Sequence, residues 1–131
     1  MGAWGNGSFE NDDAADWLAH LGTVTPVGLT QLLAQAADHP GYLEGPEASG
    51  AVAAAEVVAA VSGSPAPAAP TEIVEWTKKN PQAATPEIKA LAVRALERVR
   101  RNSELKDLWM EADGLNDWIA VIRELQERLG G

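Results

Sequence analysis

The residues of this sequence best suited to chemistry are carboxylates. Asp12 and Asp16 are four residues apart, so a helix would place both on one face, and Glu44, Glu47 and Glu56 supply further oxygen ligands of the kind that Mg²⁺ and Ca²⁺ prefer. All-helical nucleotide pyrophosphatases build metal sites from paired acidic motifs, and Glu44 with Glu47 is similar to one half of such a pair. The second half is missing at a plausible distance, because Glu104 and Asp107 have the right spacing but lie far downstream. One interpretation is therefore a metal site, and the other is that Asp12 and Asp16 stabilise the positive end of a helix.

Glu56 stands apart from the other acids because residues 47–62 are apolar on nearly all sides. A helix of that composition belongs at the centre of a bundle. A carboxylate buried there needs a cation, a hydrogen-bonding partner, a metal or a proton. We predict a structural ion pair with Arg94 or Arg98, which lie one turn apart on a neighbouring predicted helix. A solvent-facing Glu56 and a functional acid are the alternatives.

The opening residues 1–17 combine closely spaced glycines with aromatic side chains, a pattern that predicts a lead-in folded against the body of the protein. Trp4 either packs this lead-in onto the bundle or lines a groove. His20 and His39 lie near predicted helix ends, where an imidazolium is favourable, and we assign no catalytic residue. The candidate binding residues are Trp4, Phe9, Asn11, Asp12, Asp16, Glu44 and Glu56.

Charge is distributed unevenly along the chain, whose net charge is −9. Residues 1–70 contain eight acids and no Lys or Arg, whereas residues 71–131 contain eleven acids and all ten basic residues. Part of the folded surface should therefore be strongly negative, which disfavours nucleic acid and favours a basic protein partner. The alternative is that the acids serve only solubility.

The composition also limits the compartment and the cofactors. The absence of cysteine excludes disulfides and thiolate chemistry and fits a reducing cytoplasm. No apolar run approaches the roughly 20 residues of a membrane span, and the N-terminus lacks the pattern of a signal peptide. We therefore expect a cytoplasmic protein that does not bind membranes. No phosphate-binding loop is present, and we predict no cofactor and no resident metal.

Helical periodicity dominates the chain, because strand-type alternation is scarce and alanine and leucine are frequent. Caps and prolines predict helices from residue 11 or 12 to about 21, 25 to about 37, 47 to 62, 71 to about 79, 85 to before 102, 103 to about 114 and 116 to 129. The proline- and alanine-rich residues 62–70 form a loop. We predict an all-α bundle of six or seven helices, one domain over residues 1–131, with the N-terminal segment packed across it.

Several stretches of the chain are similar to a known family. They are residues 1–17, Tyr42-Leu43-Glu44 with Pro46, residues 53–60, and residues 102–105 with Leu108-Trp109. The chain resembles in these blocks the bacterial family called domain of unknown function 4259. The resemblance implies a bacterial cytoplasmic protein and supplies no activity, ligand or catalytic residue.

The favoured interpretation is a non-enzymatic protein-binding module with an acidic face, regulatory and comparable at the level of fold to antitoxins or immunity proteins. The alternative is a small metal-dependent hydrolase of nucleotide or phosphate substrates. A hydrolase needs at least three carboxylates converging within reach of a metal, whereas a binding module should present a broad acidic surface. The sequence leaves the partner and the oligomeric state open.

Overall fold

Helix caps divide the chain into its elements. Four side chains accept a hydrogen bond from the backbone N–H three residues later, as N-cap residues do: Asn11, Thr25, Thr85 and Ser103, at 2.8, 3.0, 3.2 and 3.1 Å. Proline follows Thr25 and Thr85 at the first helical position, where its missing N–H costs no hydrogen bond. The caps predicted at these positions are therefore present.

The computed structural model describes residues 7–67 and 69–130, and within them it contains seven α-helices and no strand. This confirms the predicted all-α fold. A 3₁₀ turn over Leu21–Thr23 follows the first helix, which therefore ends two residues before the predicted boundary. The helices are α1 (Asp12–Ala19), α2 (Pro26–Ala37), α3 (Gly45–Val61), α4 (Thr71–Lys79), α5 (Pro86–Arg101), α6 (Glu104–Glu111) and α7 (Leu115–Arg128).

Helix α3 is the centre of the bundle and contacts each of the other six helices. Every residue from Ala48 to Ala60 is buried. The alanines let neighbouring backbones approach closely, while Val52, Val57 and Val58 fill the remaining space. The apolar composition of this segment predicted a central position in the bundle, and α3 occupies that position.

The turn between α6 and α7 differs in detail from the predicted helix end at Gly114. The residue with positive φ is Asp113, at 61°, a conformation that Asp tolerates better than most residues. Gly114 fits this turn for another reason, because a Cβ on it would lie 3.0 Å from the indole ring of Trp109 and the ring would have to shift. The small residue lets the ring cover this turn.

The N-terminal segment reaches the bundle through the two residues that follow Gly7. Ser8 bonds to a side chain of α3, and Phe9 packs against the core. Trp4 and the rest of residues 1–6 lie outside the described residues. Among the helices of the described chain, none has both the length and the apolar character needed to cross a membrane.

Candidate functional site

The carboxylate of Glu56 forms a buried ion pair with the last turn of α7. Arg128 donates from Nη1 to Oε1 at 2.9 Å and from Nη2 to Oε2 at 3.0 Å, which is the bidentate geometry favoured between guanidinium and carboxylate. Ser8 donates its hydroxyl to Oε2 at 2.6 Å. The guanidinium also donates to Glu124 at 2.6 Å and to the carbonyl of Ser64 at 3.2 Å. We call Glu56 with its partners Arg128 and Ser8 the buried cluster; Glu124 is exposed at its edge.

The buried cluster is suited to holding the fold together rather than to acid–base chemistry. Burial on its own lowers the pKa of Arg128, but the hydrogen bonds to Glu56 and Glu124 outweigh it, so the pKa is raised and the guanidinium stays charged. Both oxygens of Glu56 are occupied by donors. The cavity beside Ser8 is only about 10 Å³, at the limit for one water molecule and far too small for a substrate.

Arg94 and Arg98 do not reach Glu56, so the predicted partners were wrong. Both face the connection between α2 and α3: Arg94 pairs with Asp38 at 2.8 Å, and Arg98 donates to the carbonyls of His39, at 2.6 Å, and Gly41. The two arginines thereby tie this connection to α5.

On the sequence, Arg128 was a candidate partner of the same standing as Arg94 and Arg98, because all three lie on amphipathic helices. Arg128 lies three residues after Leu125, which is fully buried, and next to the buried Leu129. That spacing places its stem on the apolar face of α7, from which a long basic side chain can extend to a buried acid.

The other acidic candidates do not converge. Asp12 and Asp16 are exposed on α1, Glu44 is exposed where α3 begins, and Glu47 lies 3.0 Å from Nε2 of His39. In the part of the chain that the structure describes, no group of three His, Asp or Glu side chains is arranged to hold a metal ion. Nothing here provides the carboxylate set that the hydrolase interpretation requires.

Two acids of α6 hold the segment before α3. Glu104 accepts a hydrogen bond from the N–H of Gly45 at 2.5 Å, while its own N–H donates to the carbonyl of Leu43 at 2.8 Å. Tyr42 donates its hydroxyl to Asp107 at 2.7 Å, and this hydrogen bond raises the pKa of Tyr42 to about 12. Glu104 thereby supplies the cap that the N-terminus of α3 does not receive from Glu44, while Asp107 holds the side chain of Tyr42.

An open groove of about 410 Å³ lies between α1, the 3₁₀ turn and α4. Its apolar lining includes Leu18, Val24 and Trp76, and one side carries Glu72 and Glu75. The indole N–H of Trp76 donates to the carbonyl of Val24 at 2.8 Å, so the ring is held in place and its only polar atom is satisfied. We call this feature the α1–α4 groove.

Two exposed acids of α4 line the α1–α4 groove, Glu72 and Glu75. On α1, Asp16 lies one turn before Ala19, which also lines the groove. None of the sequence-predicted binding residues that the structure describes belongs to this lining. Asn11 instead caps α1, and Phe9 packs against the core.

Over the residues that the structure describes, the chain is an all-helical bundle in which Glu56 is held in a satisfied buried ion pair and a groove lined by Glu72 and Glu75 opens between α1 and α4. The chain belongs to the family described as domain of unknown function (DUF4259), whose model matches residues 2–120. The predicted resemblance is thus confirmed. Comparison with curated proteins and with solved structures gave no match.

Proposed function

We propose that this chain is a non-enzymatic, single-domain protein-binding module of the cytoplasm whose acidic surface takes a basic protein partner. The observation that carries the proposal is the distribution of exposed charge. Acids are concentrated on exposed surface, while many of the basic side chains are engaged in holding the fold.

The arginines show this difference clearly. Within the described residues, Arg94, Arg100, Arg101 and Arg128 form ion pairs with acids, and Arg98 donates to backbone carbonyls. By contrast, Glu72 and Glu75, the two carboxylates that line the α1–α4 groove, are exposed and belong to no ion pair among residues 7–67 and 69–130.

Such a surface attracts cations over a distance of about 8–10 Å at physiological salt and repels polyanions. It therefore supports a protein partner rich in lysine or arginine rather than nucleic acid. A regulatory role like that of an antitoxin or immunity protein fits this chemistry, by analogy of fold class alone.

Selection from a random peptide display library tests the proposal without assuming a partner. We expect enriched sequences to carry an excess of Lys and Arg, and their binding to weaken as salt increases. An unrelated helical bundle of similar net charge is the control, because it reports on simple attraction between opposite charges. Enrichment of neutral or acidic peptides, or the same basic peptides binding the control equally well, would contradict the proposal.

A further inference from the structure

We propose that the α1–α4 groove is the docking site, and that it binds a short peptide segment with an apolar side chain flanked by Lys or Arg. This inference rests on the proposed function and goes further, because it gives the surface a location and the partner a pattern. It follows from three properties of the groove: a fixed apolar floor, unpaired acids along the side formed by α4, and one lysine at one end.

The floor of the groove is preformed. The hydrogen bond from Trp76 to Val24 holds the ring against the turn, and Thr25 caps α2 directly after it. Ala19 and Gly22 leave space above this floor, since a Cβ built on Gly22 meets no atom within 4 Å. A volume of about 410 Å³ falls within the range of about 300–1,000 Å³ in which proteins bind ligands. An apolar side chain can therefore enter without rearrangement of the backbone.

The charge of the groove differs between its two ends. Glu72 and Glu75 lie one turn apart on α4, and Lys79 follows Glu75 by one further turn on the same side. A basic segment is attracted near Glu72 and Glu75 and repelled near Lys79. The cationic residues of the partner should therefore lie over the N-terminal part of α4.

A partner of opposite charge fits the groove better than a second copy of this chain. Each copy carries a net charge of −9, so bringing another copy to this acidic surface adds repulsion.

The test uses the full chain and a basic peptide obtained by the selection described above. Chemical-shift mapping should show the largest changes at Ala19, Gly22 and the indole N–H of Trp76. Ala19→Trp fills the groove from an exposed position and should weaken binding at least about tenfold. Ala120→Trp, at an exposed site on α7, is the matched control and should leave the affinity unchanged.

Charge variants on one wall of the groove should act in opposite directions. Glu72→Gln with Glu75→Gln should weaken binding by roughly three- to tenfold, since exposed charge contacts are individually modest. Lys79→Gln should strengthen binding by about two- to threefold. A general loss of folding would weaken binding in both variants, so opposite changes in affinity would show that charge in the groove is responsible.

The possible failures of the two proposals differ. If no basic peptide is selected, the proposed function is wrong. If basic peptides bind but their affinity is unaffected by Ala19→Trp, or the shifts map elsewhere, only the docking site is wrong. A parent protein that dimerises, and becomes monomeric in Ala19→Trp, would show that a second copy occupies the groove and would also overturn the inference.

Discussion

The buried cluster and the α1–α4 groove use the same functional group for opposite purposes. The carboxylate of Glu56 is 4 % exposed, and both of its oxygens have charged or hydroxyl donors. Glu72 and Glu75 are exposed and form no ion pair within the described residues. A carboxylate whose donors all come from its own chain contributes to the fold, whereas one without such donors is available to a partner.

The largest effect expected from this comparison is at Arg128. Arg128→Leu leaves the buried charge of Glu56 without its cation and should lower the free energy of unfolding by about 3 kcal/mol. Arg123→Leu, on the exposed side of the same helix, should change it by less than about 0.5 kcal/mol. Denaturant unfolding followed by helical circular dichroism measures both.

A double variant separates the pair from its parts. Glu56→Leu combined with Arg128→Leu removes both charges and should recover most of the loss, because an apolar pair of similar volume is often as stable as a buried ion pair. If Arg128→Leu alone costs less than about 1 kcal/mol, the buried cluster does not support the fold as described.

The next effect concerns the N-terminal segment. Ser8→Ala removes a hydrogen bond to a charged acceptor and should cost about 1.5 kcal/mol. Hydrogen exchange at the amide of Glu10, which donates to the carbonyl of Gly7, should accelerate if this bond holds the segment down. Ser62→Ala is the control, because that hydroxyl bonds only within its own turn at the end of α3. Equal effects of the two substitutions would rule out a special role for Ser8.

Only some features of the buried cluster and of the helices could be predicted from the sequence. Local signals located the caps at Asn11, Thr25 and Ser103, and the apolar composition around Glu56 indicated its burial. The identity of its partner was not predictable in the same way, because it depends on which helix crosses α3 at that point. Arg94, Arg98 and Arg128 all lie on amphipathic helices, and only their packing separates them.

The α1–α4 groove could not be predicted from the sequence for a similar reason. Glu72, Glu75 and Trp76 belong to the second half of the chain, whereas the charge imbalance drew attention to the first half. The groove exists because α4 packs beside the 3₁₀ turn that follows α1. That contact joins residues about 50 positions apart, as in the bond from Trp76 to Val24.

The carboxylate of Glu97 is intermediate between these two kinds, because it is partly exposed yet paired. The hydrogen bond from Arg100 lowers the pKa of Glu97 to about 2 in the folded protein. The unfolded value is near 4.3, so this contribution to stability is complete above about pH 5 and is lost as the pH falls towards 2. Since the side chain is 34 % exposed, solvent screening limits the contribution to about 1 kcal/mol.

Unfolding measured from pH 7 to pH 2 tests this contribution. Glu97→Gln should be less stable than the parent at pH 7, and the two stabilities should approach each other as the pH falls. A constant difference between them across this range would mean that the ionised form of Glu97 makes no special contribution.

The smallest effect on stability should come from the groove. A small effect there would distinguish its carboxylates from the carboxylate of the buried cluster. Glu72→Gln with Glu75→Gln removes two charges that lie one turn apart and repel each other, which is slightly favourable. It also removes a favourable charge from the first turn of α4 and the attraction between Glu75 and Lys79, one turn later. These small contributions partly cancel, so the free energy of unfolding should change by no more than about 0.5 kcal/mol. Because the same double variant is expected to weaken peptide binding, it separates binding from folding. A loss above about 1 kcal/mol would place these acids with Glu56 as parts of the fold.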